Sequence, residues 1–272
     1  MLYKCFLVIK QAKIGGIYME WSIFNYDNNF ITTTREDING IPCLKFKPNN
    51  SDGLLPTVIY YHGWHSSKEF KRFQAMAIAS FGYQIIAPDA LYHGERNPIN
   101  HDDPESIEKY LWEIILQSIK ESGELIESVV KSHEADQNRI GVMGSSMGAV
   151  TAGGVFIENP SLKCLLGFNG TFAWQEAIKR SHLPKSISHS QLIDHYDPMN
   201  NRDKIKGRAI SMLHGVDDTS VPIDTQRLFY NKMTPLYSND PGKIELVEYS
   251  NIDHRITTGM LEGAIRCFKK QL

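Results

Sequence analysis

Ile140-Gly141-Val142-Met143-Gly144-Ser145-Ser146-Met147-Gly148-Ala149-Val150-Thr151-Ala152 decides how this chain folds. A short apolar strand runs directly into Gly-x-Ser-x-Gly, and a helix of small residues, spanning 147–158, follows at once. A serine on a sharp strand-to-helix turn stands clear of the backbone, so its hydroxyl can reach an electrophile. Gly144 and Gly148 omit side chains where such a turn crowds its neighbours. The helix start also brings its positive end close to the reacting oxygen. Five residues of this form arise readily by chance. Between a strand and a helix they point to a nucleophile, Ser146.

Outward from this turn, strands and helices alternate. Thr57-Val58-Ile59-Tyr60-Tyr61, Tyr83-Gln84-Ile85-Ile86-Ala87, Cys164-Leu165-Leu166-Gly167-Phe168, Ala209-Ile210-Ser211-Met212-Leu213 and Ile244-Glu245-Leu246-Val247-Glu248-Tyr249 read as strands. Helical patterns occupy 70–80, 104–131 (one helix or two), 225–233 and 257–270, with Asp103 a cap and Pro104 at a first helical position. Upstream, Phe30-Ile31-Thr32-Thr33-Thr34 and Ile41-Pro42-Cys43-Leu44-Lys45-Phe46, separated by Asn39-Gly40, predict an antiparallel ribbon. Short apolar strands spaced by helices define an α/β class with a mostly parallel sheet covered on both faces.

The chain has 272 residues and is expected to form a single domain over 21–272. Its interval 171–206 is too long for a plain crossover and predicts a small helical insertion, a lid over the active-site mouth. A surface excursion of no catalytic consequence is the plainer alternative. Residues 1–20 are expected to be a poorly ordered extension, with Met19 an alternative start. Phe6-Leu7-Val8-Ile9 ends at Lys10, short of a signal sequence, and no run approaches the ~20 apolar residues of a membrane span. Net charge is −2, with 29 basic and 31 acidic residues, which gives no electrostatic reason for a nucleic-acid partner. Cys5, Cys43, Cys164 and Cys267 form no CxxC pair, so reduced thiols and a cytoplasmic location are expected. A homo-oligomer is neither specified nor excluded by these residues.

Partners for Ser146 are expected in the order acid, then histidine. His214-Gly215-Val216-Asp217-Asp218-Thr219-Ser220-Val221-Pro222 follows a strand, and His254 follows the last one. Loops at the C-terminal ends of strands are where an open α/β sheet assembles its ligands. Asp218 and Asp217 both stand on the first loop; Asp253, adjacent to His254, lacks the reach to orient it. Tyr61-His62-Gly63-Trp64 follows the first long strand and turns tightly at Gly63. Backbone N–H groups of Trp64 and Met147 are therefore candidates for an oxyanion hole. His62 is more simply a hydrogen-bonded loop histidine bracing that turn. His182, His189, Asp194, His195 and Asp197 match no ligand spacing, and Gly15-Gly16 and Gly153-Gly154 lack the lysine of a phosphate loop, so neither metal nor cofactor is expected.

Together Tyr61-His62-Gly63-Trp64, Pro88-Asp89, His93-Gly94-Glu95-Arg96, Gly144-Ser145-Ser146-Met147-Gly148, His214 to Pro222 and His254 resemble the α/β-hydrolase superfamily. Within it they resemble the esterase and dienelactone-hydrolase-like branch related to the prolyl oligopeptidase catalytic domain. The resemblance implies an eight-stranded sheet with the insertion after strand six. It also implies Ser146 as nucleophile, Asp218 as acid, His254 as base and Trp64 and Met147 as oxyanion donors. His93 would border the pocket. Strict dienelactone hydrolases use cysteine as nucleophile, whereas this chain has Ser146.

The expected chemistry is two-step acyl transfer on a small or medium carboxylic ester. Phe172, Trp174 and Tyr196 are candidate pocket or lid residues, with Tyr61, His62 and His93 nearer the nucleophile. A serine aminopeptidase acting on short peptides is the alternative enzyme, and a non-catalytic hydrolase-like binding protein is the alternative of another class.

Overall fold

Runs such as Ile85-Ile86-Ala87 carry no polar face, so each must be buried on both sides, and a parallel sheet between two helical layers does that. The computed structural model describes residues 9–14, 17–22, 29–49 and 51–272. It opens with β1 (Ile9–Ile14) and β2 (Ile17–Ser22), an antiparallel pair in which Ile14 faces Ile17. Part of the stretch expected to be a disordered extension is therefore paired strand. Two short runs flanking a Gly-Gly dipeptide carry a hairpin signal, which accounts for the difference. The remainder of residues 1–20 lies outside the described residues.

The hairpin of β3 (Ile31–Ile38) and β4 (Ile41–Pro48) turns at Asn39-Gly40, where both φ angles are positive, +54° and +77°. Asn and Gly tolerate that conformation, and it matches the twist of paired strands. Then come β5 (Leu55–Tyr61), α1 (Arg72–Ala79), β6 (Gln84–Pro88), α2 (Pro104–Ser132), β7 (Ala135–Ser145), α3 (Met147–Glu158) and β8 (Cys164–Phe168). The insertion contributes α4 (Trp174–Lys179), α5 (Ser190–Tyr196) and α6 (Arg202–Ile205). The chain ends with β9 (Ala209–Gly215), α7 (Asp224–Met233), β10 (Ile244–Tyr249) and α8 (Thr258–Gln271). Residues 104–132 form one helix of 29 residues, started by Asp103, whose carboxylate accepts the Glu105 N–H at 3.0 Å.

The second sheet has eight strands in the order β10-β9-β8-β7-β5-β6-β4-β3. It is parallel from β10 to β6, and antiparallel where β4 joins β6 and β3 joins β4. This is the α/β-hydrolase fold the resemblance implied, with the insertion after β8, the sixth of these eight strands. Side chains alternate between two cores. Ile59, Val142, Leu165 and Met212 face the layer of α2, α3 and the insertion. Val58, Met143, Leu166 and Leu213 face α1 and α8. Cys43, Cys164 and Cys267 are buried free thiols. Among the described residues, no helix is long and apolar enough to cross a membrane.

The insertion differs from the expected lid. It has three short helices; Phe172, Trp174, Leu183 and Ile193 are buried in the body, while Ile187 and Leu192 stay exposed. Phe172 is fully buried and meets Phe229 edge-on at 5.5 Å. Trp174 is fully buried against Trp112 at 5.4 Å. Tyr196 is half-buried and packs on the same core. Asp197 secures the segment from within, accepting the N–H groups of Trp174 (3.1 Å), Gln175 (2.9 Å) and Met199 (2.9 Å). Phe172 and Trp174 are thus core residues and do not line a pocket. Burying two large aromatic side chains stabilises by several kcal/mol, which outweighs leaving them beside solvent.

Candidate active site

The turn between β7 and α3 puts Ser146 at φ +56° and ψ −123°, a conformation that costs on the order of 1–3 kcal/mol for a non-glycine residue. Three backbone bonds hold it there. The Ser146 N–H donates to the Phe168 carbonyl at 2.9 Å, and the Ser146 carbonyl accepts from Ala149 (2.9 Å) and Val150 (3.2 Å). Gly148 lets α3 cross β5, since a Cβ there would come within 2.2 Å of the Tyr61 carbonyl oxygen. Ser146 is only part-buried.

Across from this turn, the chain leaves β5 through His62-Gly63-Trp64. A Cβ on Gly63 would lie 3.3 Å from the Ser146 Cβ and 3.2 Å from the Ser145 carbonyl oxygen, so the two turns are in close contact. Met147 is the first residue of α3, and amides in a first helical turn have no intrahelical acceptor. The Trp64 and Met147 N–H groups therefore both belong to turns at Ser146.

The first turn is braced from behind by histidines. His62 accepts the Ala90 N–H on Nε2 at 3.0 Å, which leaves the proton on Nδ1 to donate to the Gly63 carbonyl at 2.8 Å. Gly63 C=O and Trp64 N–H belong to one peptide unit, so holding the carbonyl fixes the direction of the amide. Burial pushes the His62 pKa well down and keeps the ring neutral. His93 lies with Nε2 2.7 Å from the Trp64 carbonyl and Nδ1 2.8 Å from that of Leu91. A neutral imidazole donates to only one of them. His62, His93 and Tyr61 are all buried; the two histidines are the framework that braces the turn from behind, and Tyr61 lines a small cavity with Ile41, Asp89 and Leu125.

Sequence reading missed the buried pair that anchors this framework. Asp89 accepts the Lys68 N–H at 3.0 Å, the Lys68 ammonium at 2.6 Å and the Glu95 N–H at 2.9 Å. The loops after β5 and β6 are thereby tied together. Burial works against the Lys68 charge, but Asp89 and Glu95 outweigh it, and the pKa is raised.

On the far side, the loop after β9 carries Asp218 and the loop after β10 carries His254. Asp218 Oδ2 lies 2.7 Å from His254 Nδ1, while Oδ1 accepts the N–H groups of Ser220 (2.9 Å) and Val221 (2.8 Å). Asp217 is exposed, and its backbone N–H donates to the Ile252 carbonyl at 3.0 Å. Asp218 is therefore the aspartate that faces the imidazole. Burial pushes the Asp218 carboxyl up, but hydrogen bonds from His214, His254 and Val221 prevail and hold it well below the usual carboxylate range. A carboxylate only accepts, so Nδ1 carries the proton and Nε2 is the bare nitrogen of neutral His254.

Asp253 does not act as an acid here. It accepts the Thr219 N–H at 3.0 Å and the Thr219 hydroxyl at 3.1 Å, linking the two loops. Asn169, also missed in the sequence, joins both loops to the end of β8, and a polar residue followed by glycine at a strand end was its only signal. Among the described residues, no group of three or more His, Cys, Asp or Glu side chains could hold a metal ion.

Residues 41–257 match the family model described as Dienelactone hydrolase family. The chain is 28% identical over 251 residues to esterase YjfP of Escherichia coli (strain K12), covering 87% of this chain and 97% of that one. It is 27% identical over 256 residues to the putative esterase YitV of Bacillus subtilis (strain 168), covering 89% and 100%. Among solved structures, a putative dienelactone hydrolase from Klebsiella pneumoniae superposes with a TM-score of 0.69 at 21% identity, covering 89% of this chain and 100% of that one.

Proposed function

The chain belongs to the dienelactone hydrolase family, and from that premise we propose that it is a serine hydrolase of small to medium carboxylic esters. The observation that carries this reading is the Asp218–His254 contact of 2.7 Å on loops that Asn169 ties to the end of β8, where the Phe168 carbonyl holds the strained Ser146 turn. Two relatives that bear the name esterase, each matched over nearly its whole length, support the ester over other acyl substrates.

The reaction runs in two halves. Ser146 Oγ attacks the ester carbonyl carbon as Nε2 of His254 takes its proton, and the carbonyl π electrons move to oxygen. The N–H groups of Trp64 and Met147 stabilise that oxyanion; losing one such donor costs about 3 kcal/mol of transition-state stabilisation. Asp218 holds the imidazolium and its orientation. The tetrahedral species collapses, the C–O bond to the alcohol breaks, and the alkoxide leaves with the proton from Nε2. Water, deprotonated by the same nitrogen, then attacks the acyl-enzyme, and Ser146 recovers its proton as the acid departs.

Nothing in this sequence of steps calls for a metal ion or an organic cofactor. The test is hydrolysis of a panel of p-nitrophenyl esters of increasing acyl length beside the matched anilides and short peptides. Turnover of short and medium esters, abolished in Ser146→Ala, is expected. Esters left untouched while peptides are cleaved, or an alanine variant as fast as the wild type, would overturn the proposal.

A further inference from the structure

Strand β8 lies between β7 and β9 and contributes no member of the proposed triad, yet its end touches all three loops that do. The Phe168 carbonyl accepts the Ser146 N–H at 2.9 Å. Asn169, the next residue, is buried at 3% exposure with φ +47°. Its side-chain Nδ2 donates to the Arg255 carbonyl at 2.9 Å, one residue beyond His254. Its Oδ1 accepts the Gly215 N–H at 3.0 Å, at the root of the loop that carries Asp218. Its own N–H donates to the Leu213 carbonyl at 3.1 Å, closing the same connection through the backbone.

We propose that Asn169 is a positioning residue: one buried amide side chain sets the distance between the Ser146 turn and the loops of Asp218 and His254. The inference rests on the acyl-transfer reading of those three residues. The chemistry demanded at this point is narrow. One neighbour is a carbonyl needing a donor and the other an N–H needing an acceptor. A side-chain amide offers both from one planar group, whereas a carboxylate offers acceptors alone. The positive φ narrows the choice further, since among side chains that reach, asparagine is the one that tolerates it well.

The lateral spacing is then completed from outside. Asp253 clamps Thr219 through two hydrogen bonds of 3.0 and 3.1 Å, and the Asp217 N–H meets the Ile252 carbonyl at 3.0 Å. These contacts tie the acid loop to the histidine loop, but neither reaches Ser146. Asn169 is the member continuous with the residue that holds the Ser146 amide. Displacing reacting groups by about 1 Å costs on the order of 100-fold in rate, so a spacer at this junction acts on kcat.

Two variants test it. Asn169→Gly keeps the positive φ and removes both side-chain bonds; Asn169→Asp keeps the shape and the Gly215 bond and loses the donor to Arg255. Steady-state kinetics with the best ester and the rate of fluorophosphonate labelling at Ser146 are measured for each, with thermal melts alongside. The expected result is a fall in kcat of about 10- to 100-fold, with KM within about twofold and labelling slowed in parallel. Folded variants that keep wild-type kcat overturn the proposal, as does failure of both variants to fold, which would make Asn169 a plain structural residue. A wild type that neither hydrolyses esters nor labels at Ser146 overturns the acyl-transfer reading as well. Equal activity of wild type and variants overturns this inference alone.

Discussion

His254 Nδ1 stands 2.7 Å from Asp218 Oδ2, and the other oxygen of that carboxylate is held by the backbone N–H groups of Ser220 and Val221. The carboxylate is thus immobilised before it meets the ring, and it dictates which imidazole nitrogen is bare. In Asp218→Asn the amide can donate as well as accept, so the tautomer is no longer imposed. Ester kcat should fall by about 10³–10⁴-fold with KM little changed. Asp217→Asn, at the exposed neighbour, should stay within about twofold of wild type. Equal losses in the two variants would refute the assignment of Asp218.

The contact between Gly63 and Ser146 yields a second expectation. In Gly63→Ala the added methyl would meet the Ser146 Cβ at 3.3 Å and the Ser145 carbonyl at 3.2 Å, so one turn must move by a few tenths of an ångström. The Trp64 N–H moves with it. We expect kcat to drop by about 10- to 100-fold, up to the cost of one oxyanion donor, while circular dichroism and the melting temperature stay close to wild type. An unchanged kcat would remove Trp64 from the oxyanion hole.

Phe172 gives a prediction about stability and not selectivity. As a fully buried ring in contact with Phe229, its truncation in Phe172→Ala should cost about 3–4 kcal/mol. For a chain of this size that lowers Tm by about 10 °C. The ratio of kcat/KM between short and long acyl esters should hold within about twofold. A shifted chain-length preference at unchanged Tm would return Phe172 to the pocket wall.

How much of this could be seen in the sequence divides along a physical line. Helix 147–158 and strands 164–168 and 244–249 were legible to the residue, because apolar runs and Gly-x-Ser-x-Gly carry their own punctuation. Ser146 and His254 could be singled out from the strand-to-helix turn and the last strand-end loop, whereas the loop between them in order left Asp217 and Asp218 both open, and the resemblance favoured Asp218. The fate of Phe172 and Trp174 was not. An aromatic residue in an insertion has the same composition whether it turns towards a substrate or into the core, and only the neighbouring Trp112 and Phe229 decide. Asn169 and the Lys68–Asp89 pair were hidden for a related reason. Their partners lie 86, 46 and 21 residues away, beyond any local pattern.

Glu95 supplies a pH dependence. Hydrogen bonds from the Arg35 guanidinium, opposed by burial and joined by Lys68 at 2.9 Å, hold its carboxyl down at about 2. An unfolded glutamate titrates near 4.3, so the folded state favours the ionised form. The resulting stability is fully present above about pH 4.3 and is lost as pH falls towards about 2. Denaturation midpoints of Glu95→Gln should therefore lie below wild type at pH 7 and converge with it in acid. A constant difference from pH 7 to pH 2 would show that the network does not depend on the charge.

In the proposed reaction Ser146 carries the acyl group. The most direct test is to quench the enzyme with acid during turnover of a slow ester, record the intact mass and map the modified peptide. The expected result is a mass increase equal to the acyl group on the peptide containing Ser146, absent from Ser146→Ala and accumulating in His254→Gln only very slowly. An acyl group mapped to another residue, or full hydrolysis by Ser146→Ala, would contradict it.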